Sequence, residues 1–369
     1  MVTAAPLTVD AFFAISGLLV VYTTAGKMNG VTLLKNLHWF YLNRLVRVFP
    51  LVAISVLLQA SYFNRMMDGP SWGTMESETN KCRSNWWSTL LFVQNYVNRY
   101  GRCVPHSWYV AIDFQIFIIC PLVLFWVLSG KKRVAWMGLA AGVVVSLTGA
   151  AIYCFMNDFQ AGIIAANRPD GDYVRYMLYY YFNTLTRAPP FFVGMVFGYW
   201  LHLSRGKTVK LHWLIVASSW IISVTAAGLI LFHKYQITRS DWDNQIIDNL
   251  MNTFMRSAWT GAVCWLICAC VHGYAGPVNT FLSFDFWQPL GRLTYGMYLF
   301  HYPMMFSING AEVAPVYFSV GRFAFKFLSY LFLAVVISFI MTLLVDAPIS
   351  ALFKKLMDTV QKKGKKEKN

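Results

Sequence analysis

The chain has 369 residues, 57% of them hydrophobic and only 13% charged, with a mean hydropathy of +0.48. A soluble domain carries nearer a quarter charged residues, so that class is excluded. The net charge of +15 falls in short connections and in the tail, where membrane topology and anionic headgroups account for it, and no nucleic-acid partner is expected.

Crossing a hydrocarbon core takes about 20 apolar residues as helix, with every backbone polar group satisfied within the segment. In chain order, apolar runs meet that need at 7–25, 48–63, 107–128, 134–155, 188–203, 212–232, 255–274, 288–307 and 322–345. The expected fold is therefore all-α, a polytopic bundle of about nine transmembrane helices. Residues 7–25 read as the first span and not as a cleaved leader, because no basic residue precedes them. The connection 26–47 carries Lys27, Lys35, Arg44 and Arg47 and no acid; 129–133 carries Lys131, Lys132 and Arg133; 204–211 carries Arg205, Lys207 and Lys210. The alternate connections hold Asp68, Glu76 and Glu78, then Asp158, Asp170 and Asp172, then Asp241, Asp243 and Asp248. The positive-inside rule puts the first set in the cytoplasm, the N-terminus outside and the C-terminus inside.

One membrane domain over 1–352 is expected, followed by a basic cytoplasmic tail, 353–369. The long outward loop 64–106 contains Cys82 and Cys103. In an oxidising compartment these suit a disulfide closing the loop, the alternative being two free thiols. The stretch from Trp86 to Val97 suits a short amphipathic helix in the headgroup plane. Cys120, Cys154, Cys264, Cys268 and Cys270 lie in or at spans and read as small apolar packing residues. No metal site is expected. Pro189-Pro190 predicts a break or kink at the entrance of the fifth span.

Ionisable residues at membrane depth are costly and form the short list of functional candidates: Asp10, Asp113 with Gln115 nearby, Arg187, Arg292, His301 and Asp346. Each suits a structural ion pair as well as a site. His106 stands at the outer edge of the third span, suited to an acceptor contact or to a plain interfacial role. Arg44 and Arg47 are three apart, so on a helix both guanidiniums point the same way. Such a pair suits a phosphate-bearing cytosolic ligand, or simple anchoring.

Several segments taken together resemble the acyltransferase-3 family of integral membrane proteins, and within it the animal nose-resistant-to-fluoxetine branch. They are Val9-Asp10-Ala11-Phe12-Phe13-Ala14-Ile15-Ser16-Gly17, then Asn43-Arg44-Leu45-Val46-Arg47, then His106-Ser107-Trp108-Tyr109 running to Asp113 and Gln115. Thr186-Arg187-Ala188-Pro189 leads to Gly194 and Gly198, and the last are Leu290-Gly291-Arg292 through Tyr298-Leu299-Phe300-His301-Tyr302-Pro303 and Val345-Asp346-Ala347-Pro348. The resemblance implies O-acyl transfer from a cytoplasmic acyl-CoA-type co-substrate to a hydroxyl acceptor, with membrane lipid around it and no bound cofactor. It implies donor handling by Arg44 and Arg47, and tentative catalytic places for Asp113 and His301. Asp10, His106 and Arg187 are further cavity candidates. The family's main histidine and a nearby arginine belong to a span before the Phe-Phe-x-x-Ser-Gly segment. The chain is therefore expected to lack that span and the branch's extracellular N-terminal domain. A lipid or drug uptake transporter and an inactive scaffold stay open as alternatives, in the plasma membrane or the endoplasmic reticulum.

Overall fold

A computed structural model describes residues 6–66, 68–163, 170–207, 209–239, 241–314 and 317–366. Among the described residues there is no β-strand. The helices are α1 Thr8–Thr24, α2 Gly30–Lys35, α3 Leu37–Ser61, α4 Trp72–Leu90, α5 Trp108–Ile119, α6 Pro121–Val127, α7 Lys132–Asn157, α8 Asp170–Arg175, α9 Thr184–Leu203, α10 Trp213–Gln236, α11 Gln245–Val271, α12 Pro277–Leu282, α13 Trp287–Gly310, α14 Val320–Met341 and α15 Ala347–Lys366. Two π-helical turns, Tyr176–Tyr181 and Thr342–Asp346, join α8 toward α9 and α14 to α15.

All nine apolar runs are helical, and they differ in kind. By length and composition α3, α7, α10, α11 and the continuous helix Val320–Met357 can each cross a membrane. The pair around Cys120, Pro105–Ile119 and Pro121–Val127, bends by 47° and makes a sixth if it counts as one span. α1 has only 17 residues. α9 and α13 hold interior prolines and arginines and fall outside the set. The outer surface is that of a lipid-facing protein: Ile221, Ile222, Val224 and Leu229 of α10 are each more than 60% exposed, which water would penalise and hydrocarbon does not.

Two compact units divide the chain. The first comprises residues 1–37 and 112–282. Its centre is the seam between α1 and α9, where Gly17 faces the Phe191 carbonyl, Gly194 faces Ala14 and Gly198 faces Leu18. A Cβ at any of the three would collide with backbone. Gly194 and Gly198 are four apart, the small-x-x-x-small spacing that lets helix backbones approach closely. Ala14 and Leu18 also pack on Cys264 and Cys268 of α11, so α1, α9 and α11 run in the same direction. Both cysteines are buried packing residues, as are Cys120 and Cys154.

The second unit comprises residues 38–111 and 283–369. Cys82 on α4 and Cys103 form a disulfide. Around it Thr89 donates to the Cys103 carbonyl (2.9 Å), Asn85 to that of Gly101 (2.7 Å) and Arg83 to that of Ala60 (2.9 Å). The Tyr295 hydroxyl on α13 donates to the Val48 carbonyl on α3 at 2.8 Å, while Gly310 at the end of α13 meets Gly69, eight residues past the end of α3. α3 and α13 therefore run alongside each other in one direction.

Two local expectations need correcting. The outward-loop helix is α4, which ends at Leu90, and not a helix over 86–97. The chain reverses there, with Phe92 at φ 58° and the Val93 N–H on the Ser88 carbonyl. α4 is polar for most of its length and rich in weak helix formers; the Glu78–Lys81 pair at 2.6 Å and the Cys82 bridge support it. The break before the fifth span also lies upstream of Pro189-Pro190. α9 begins at Thr184, with the Asn183 side chain accepting from the Leu185 N–H. The two prolines sit inside it and withhold N–H groups from the carbonyls of Leu185 and Thr186.

Candidate active site

Each unit holds a group of closely set ionisable side chains. In the first unit, Asp10 lies in the opening turn of α1 and is wholly buried. One carboxylate oxygen accepts from Arg187 of α9 at 2.6 Å and the other from Arg256 of α11 at 2.9 Å. The Arg187 guanidinium lies 4.2 Å from the centroid of the Tyr181 ring and its Nε donates to the Tyr181 carbonyl. That of Arg256 lies 4.8 Å from the centroid of Tyr180, whose hydroxyl accepts from Arg256 Nε at 3.0 Å and donates to the Asn252 carbonyl at 2.7 Å. The π-helical turn 176–181 supplies these aromatic faces, with Tyr176 against Tyr180. One carboxylate between two guanidiniums leaves a net positive charge, spread over aromatic faces and carbonyl oxygens. The charged groups of this cluster are 2% exposed or less, so it clamps three helices together. Asp10 and Arg187 stand out in the sequence. Arg256 was missed although it carries the same signal, a cation within an apolar run, because it sits at the edge of the segment.

The second unit holds a histidine pair. His106 belongs to the short helical turn Pro105–Ser107, and its Nε2 lies 2.9 Å from the Leu299 carbonyl. His301 of α13 directs Nδ1 at the carbonyls of Tyr298 (2.7 Å) and Met297 (3.2 Å). A carbonyl only accepts, so in the neutral rings His106 carries its proton on Nε2 and His301 on Nδ1. The basic nitrogens are then Nδ1 of His106, which is buried without a hydrogen-bond partner, and Nε2 of His301. The two rings stand 5.4 Å apart in an edge arrangement. The Tyr298 hydroxyl donates to the His106 carbonyl, and Tyr302 lies 5.1 Å from the His106 ring. Arg102 flanks the group. Burial pulls its guanidinium down to about 10, with Glu78 and Tyr302 acting the other way.

Arg44 and Arg47 lie on α3 of the same unit, Arg44 half-buried and Arg47 exposed. Tyr295 fixes the level of Val48 against α13. Arg44 is four residues before Val48, about 6 Å along the axis, and His301 six residues after Tyr295, about 9 Å in the same direction. Along the axes Arg44 is thus roughly 15 Å and Arg47 roughly 10 Å from His301. Arg292, exposed, lies one turn before Tyr295 on the arginine side.

The remaining candidates are more dispersed. Asp113 lies buried on α5 in the first unit. Gln115 of the same helix accepts from the Thr184 hydroxyl. Asp346 lies in the second π-helical turn. Among the described residues no group of three or more His, Cys, Asp or Glu could hold a metal ion. Tyr298, which holds the His106 carbonyl, had no signal in the sequence beyond its place three residues before His301.

Comparison with known proteins identifies the family. The acyltransferase domain model of the acyltransferase-3 family matches residues 1–345. Nose resistant to fluoxetine protein 6 of Caenorhabditis elegans is 26% identical over 385 residues, covering 97% of this chain and 46% of that protein. Regulator of hypoxia-inducible factor 1 of the same organism is 24% identical over 382 residues, 94% of this chain and 69% of its own length. O-acetyltransferase OatA of Staphylococcus aureus is 25% identical over 323 residues, 84% of this chain and 48% of OatA. The chain thus spans about half the length of the first and last of these. No solved structure matches. With the motifs, the helical membrane fold and a domain match over nearly its whole length, the chain belongs to the acyltransferase-3 family.

Proposed function

We propose that the chain works in membrane O-acyl transfer, with an acyl-CoA-type donor held at Arg44 and Arg47 and the acceptor hydroxyl activated at His301. The observation that carries the reading is the tautomer of His301: Nδ1–H is committed to backbone carbonyls, so Nε2 is the basic nitrogen. The acceptor hydroxyl gives its proton to Nε2 while its oxygen attacks the thioester carbonyl. A C–O bond forms, the C–S bond breaks, and the departing thiolate takes the proton back from the imidazolium. The roughly 10–15 Å between the arginine pair and His301 along the helix axes suits a donor whose phosphates and thioester lie at opposite ends of an extended pantetheine arm. Arg44 and Arg47 present planar forks on one helix face, the geometry that grips phosphate. That an O-acetyltransferase is among the relatives supports the reaction class.

The experiment is acyl transfer by the protein in lipid nanodiscs, supplied with labelled acetyl-CoA and a panel of hydroxyl acceptors. His301→Asn, which keeps a side-chain donor near the backbone carbonyls but has no base, is expected to lower turnover by about 10²–10⁴-fold with the donor KM little changed. Unchanged turnover in that variant removes His301 from the chemistry. Substrate flux across the bilayer that persists without donor would assign the protein to transport instead.

A further inference from the structure

We propose that the cavity at the C-terminal ends of α1, α9 and α11 binds the phosphate headgroup of an anionic membrane phospholipid. The cavity, about 510 Å³, lies within the first unit. One wall is aliphatic, built by Leu18, Leu19, Ile267 and Val271. Leu19 is 46% and Val271 63% exposed, so this wall continues onto the lipid-facing surface of the bundle. The rim carries two cations, Arg205 and Lys207, which follow α9, and the imidazole of His272, which follows α11.

Those cations have no acid to satisfy. Among the described residues no carboxylate pairs with Arg205 or Lys207. Cations beyond a helix end commonly serve its carbonyl groups. Here the Arg205 guanidinium instead lies 4.9 Å from the centroid of the Tyr22 ring, which leaves its fork of donors available to an oxyanion. The Ser204 hydroxyl, within reach of the Trp200 and Leu201 carbonyls, also lies 3.2 Å from His272 Nε2. The ring is thereby held at the rim.

A free anion would use the rim and leave the aliphatic wall empty. A zwitterionic headgroup would bring no net negative charge to a rim that holds two cations and no carboxylate. A phosphate attached to alkyl chains and carrying net negative charge uses both halves, and clustered Lys and Arg beside lipid-facing helices recognise such headgroups.

The test is native mass spectrometry of the full chain released from phosphatidylcholine nanodiscs containing a minor fraction of phosphatidylserine. The unmodified protein is expected to retain phosphatidylserine selectively. Arg205→Ala with Lys207→Ala should lower that retention about thirtyfold, while Lys131→Ala with Lys132→Ala, an exposed basic pair of the same unit, should leave it unchanged. The thermal midpoint of each variant is checked first; both pairs are exposed, so folding should survive. If the Arg205 and Lys207 substitutions are lost to misfolding, Arg205→Gln alone, expected to weaken retention severalfold, carries the test. Equal retention in all forms overturns the proposal. So does displacement of the lipid by inorganic phosphate or free CoA in solution, which would assign the cavity to a soluble anion.

Discussion

Asp10 and Arg256 lie 246 residues apart in the chain and meet at 2.9 Å, both buried, with Arg187 holding the other oxygen of the same carboxylate. The single acid is the counter-charge for two enclosed guanidiniums. Asp10→Asn removes it while keeping the shape. The expected result is a loss of about 3–5 kcal/mol, the cost of leaving buried cations uncompensated. It is read as a large fall in the thermal midpoint of the detergent-solubilised protein. A midpoint within a degree or two of the parent would show that the cluster does not hold the helices.

The seam between α1 and α9 should be intolerant of a single methyl group. Gly194→Ala would drive a Cβ into the Ala14 backbone, whereas Gly228 of α10 has nothing within 4 Å of the same position. Gly194→Ala is expected to cost at least about 1–3 kcal/mol. Gly228→Ala should be neutral or stabilise by up to about 1 kcal/mol, since alanine is the better helix former. Parallel melting curves compare the two.

The Cys82–Cys103 bridge closes a loop with a sequence separation of 21 residues, worth about 3 kcal/mol in chain entropy. Cys82→Ser with Cys103→Ser should lower the melting point and open the 91–104 segment to trypsin at Arg99 and Arg102. The first unit should keep its protection from hydrogen exchange. Equal cleavage with and without the bridge would show that the surrounding hydrogen bonds suffice.

Donor handling separates from the chemical step. Arg44→Ala with Arg47→Ala should raise the KM for acetyl-CoA by about tenfold or more, from the loss of charge-assisted phosphate contacts, with kcat changing less. His106→Phe should lower kcat, because the His106 ring packs on His301. Steady-state kinetics on the two variants resolve the split, and a pure kcat effect for the arginine pair would place them away from the donor.

Much of the membrane-embedded part was legible because hydrocarbon imposes a strong rule: an apolar run of sufficient length has to become a helix. α4 escaped that rule. It is polar and outside the apolar runs, so hydropathy is silent there, and only the aromatic stretch at its end carries a helical signal. Lone charges such as Asp10 and Arg187 stand out in an apolar run, but nothing local says that they are partners. Their meeting depends on close packing of α1 on α9, which shows only as Gly17, Gly194 and Gly198. His106 shows the same limit. Its carbonyl partner, Leu299, is 193 residues away, and no periodicity spans that distance. The division into two units was equally hidden, since the first unit combines residues 1–37 with 112–282.

The shared direction of α1, α9 and α11 bears on sidedness without any appeal to charge. With all three crossing the bilayer, reporter tags placed just after Thr24, Leu203 and Val271 are expected to emerge in one compartment, and tags just before Thr8, Thr184 and Gln245 in the other. The basic connections after the first two ends then only name the compartment. The grouping is already written into the glycine contacts.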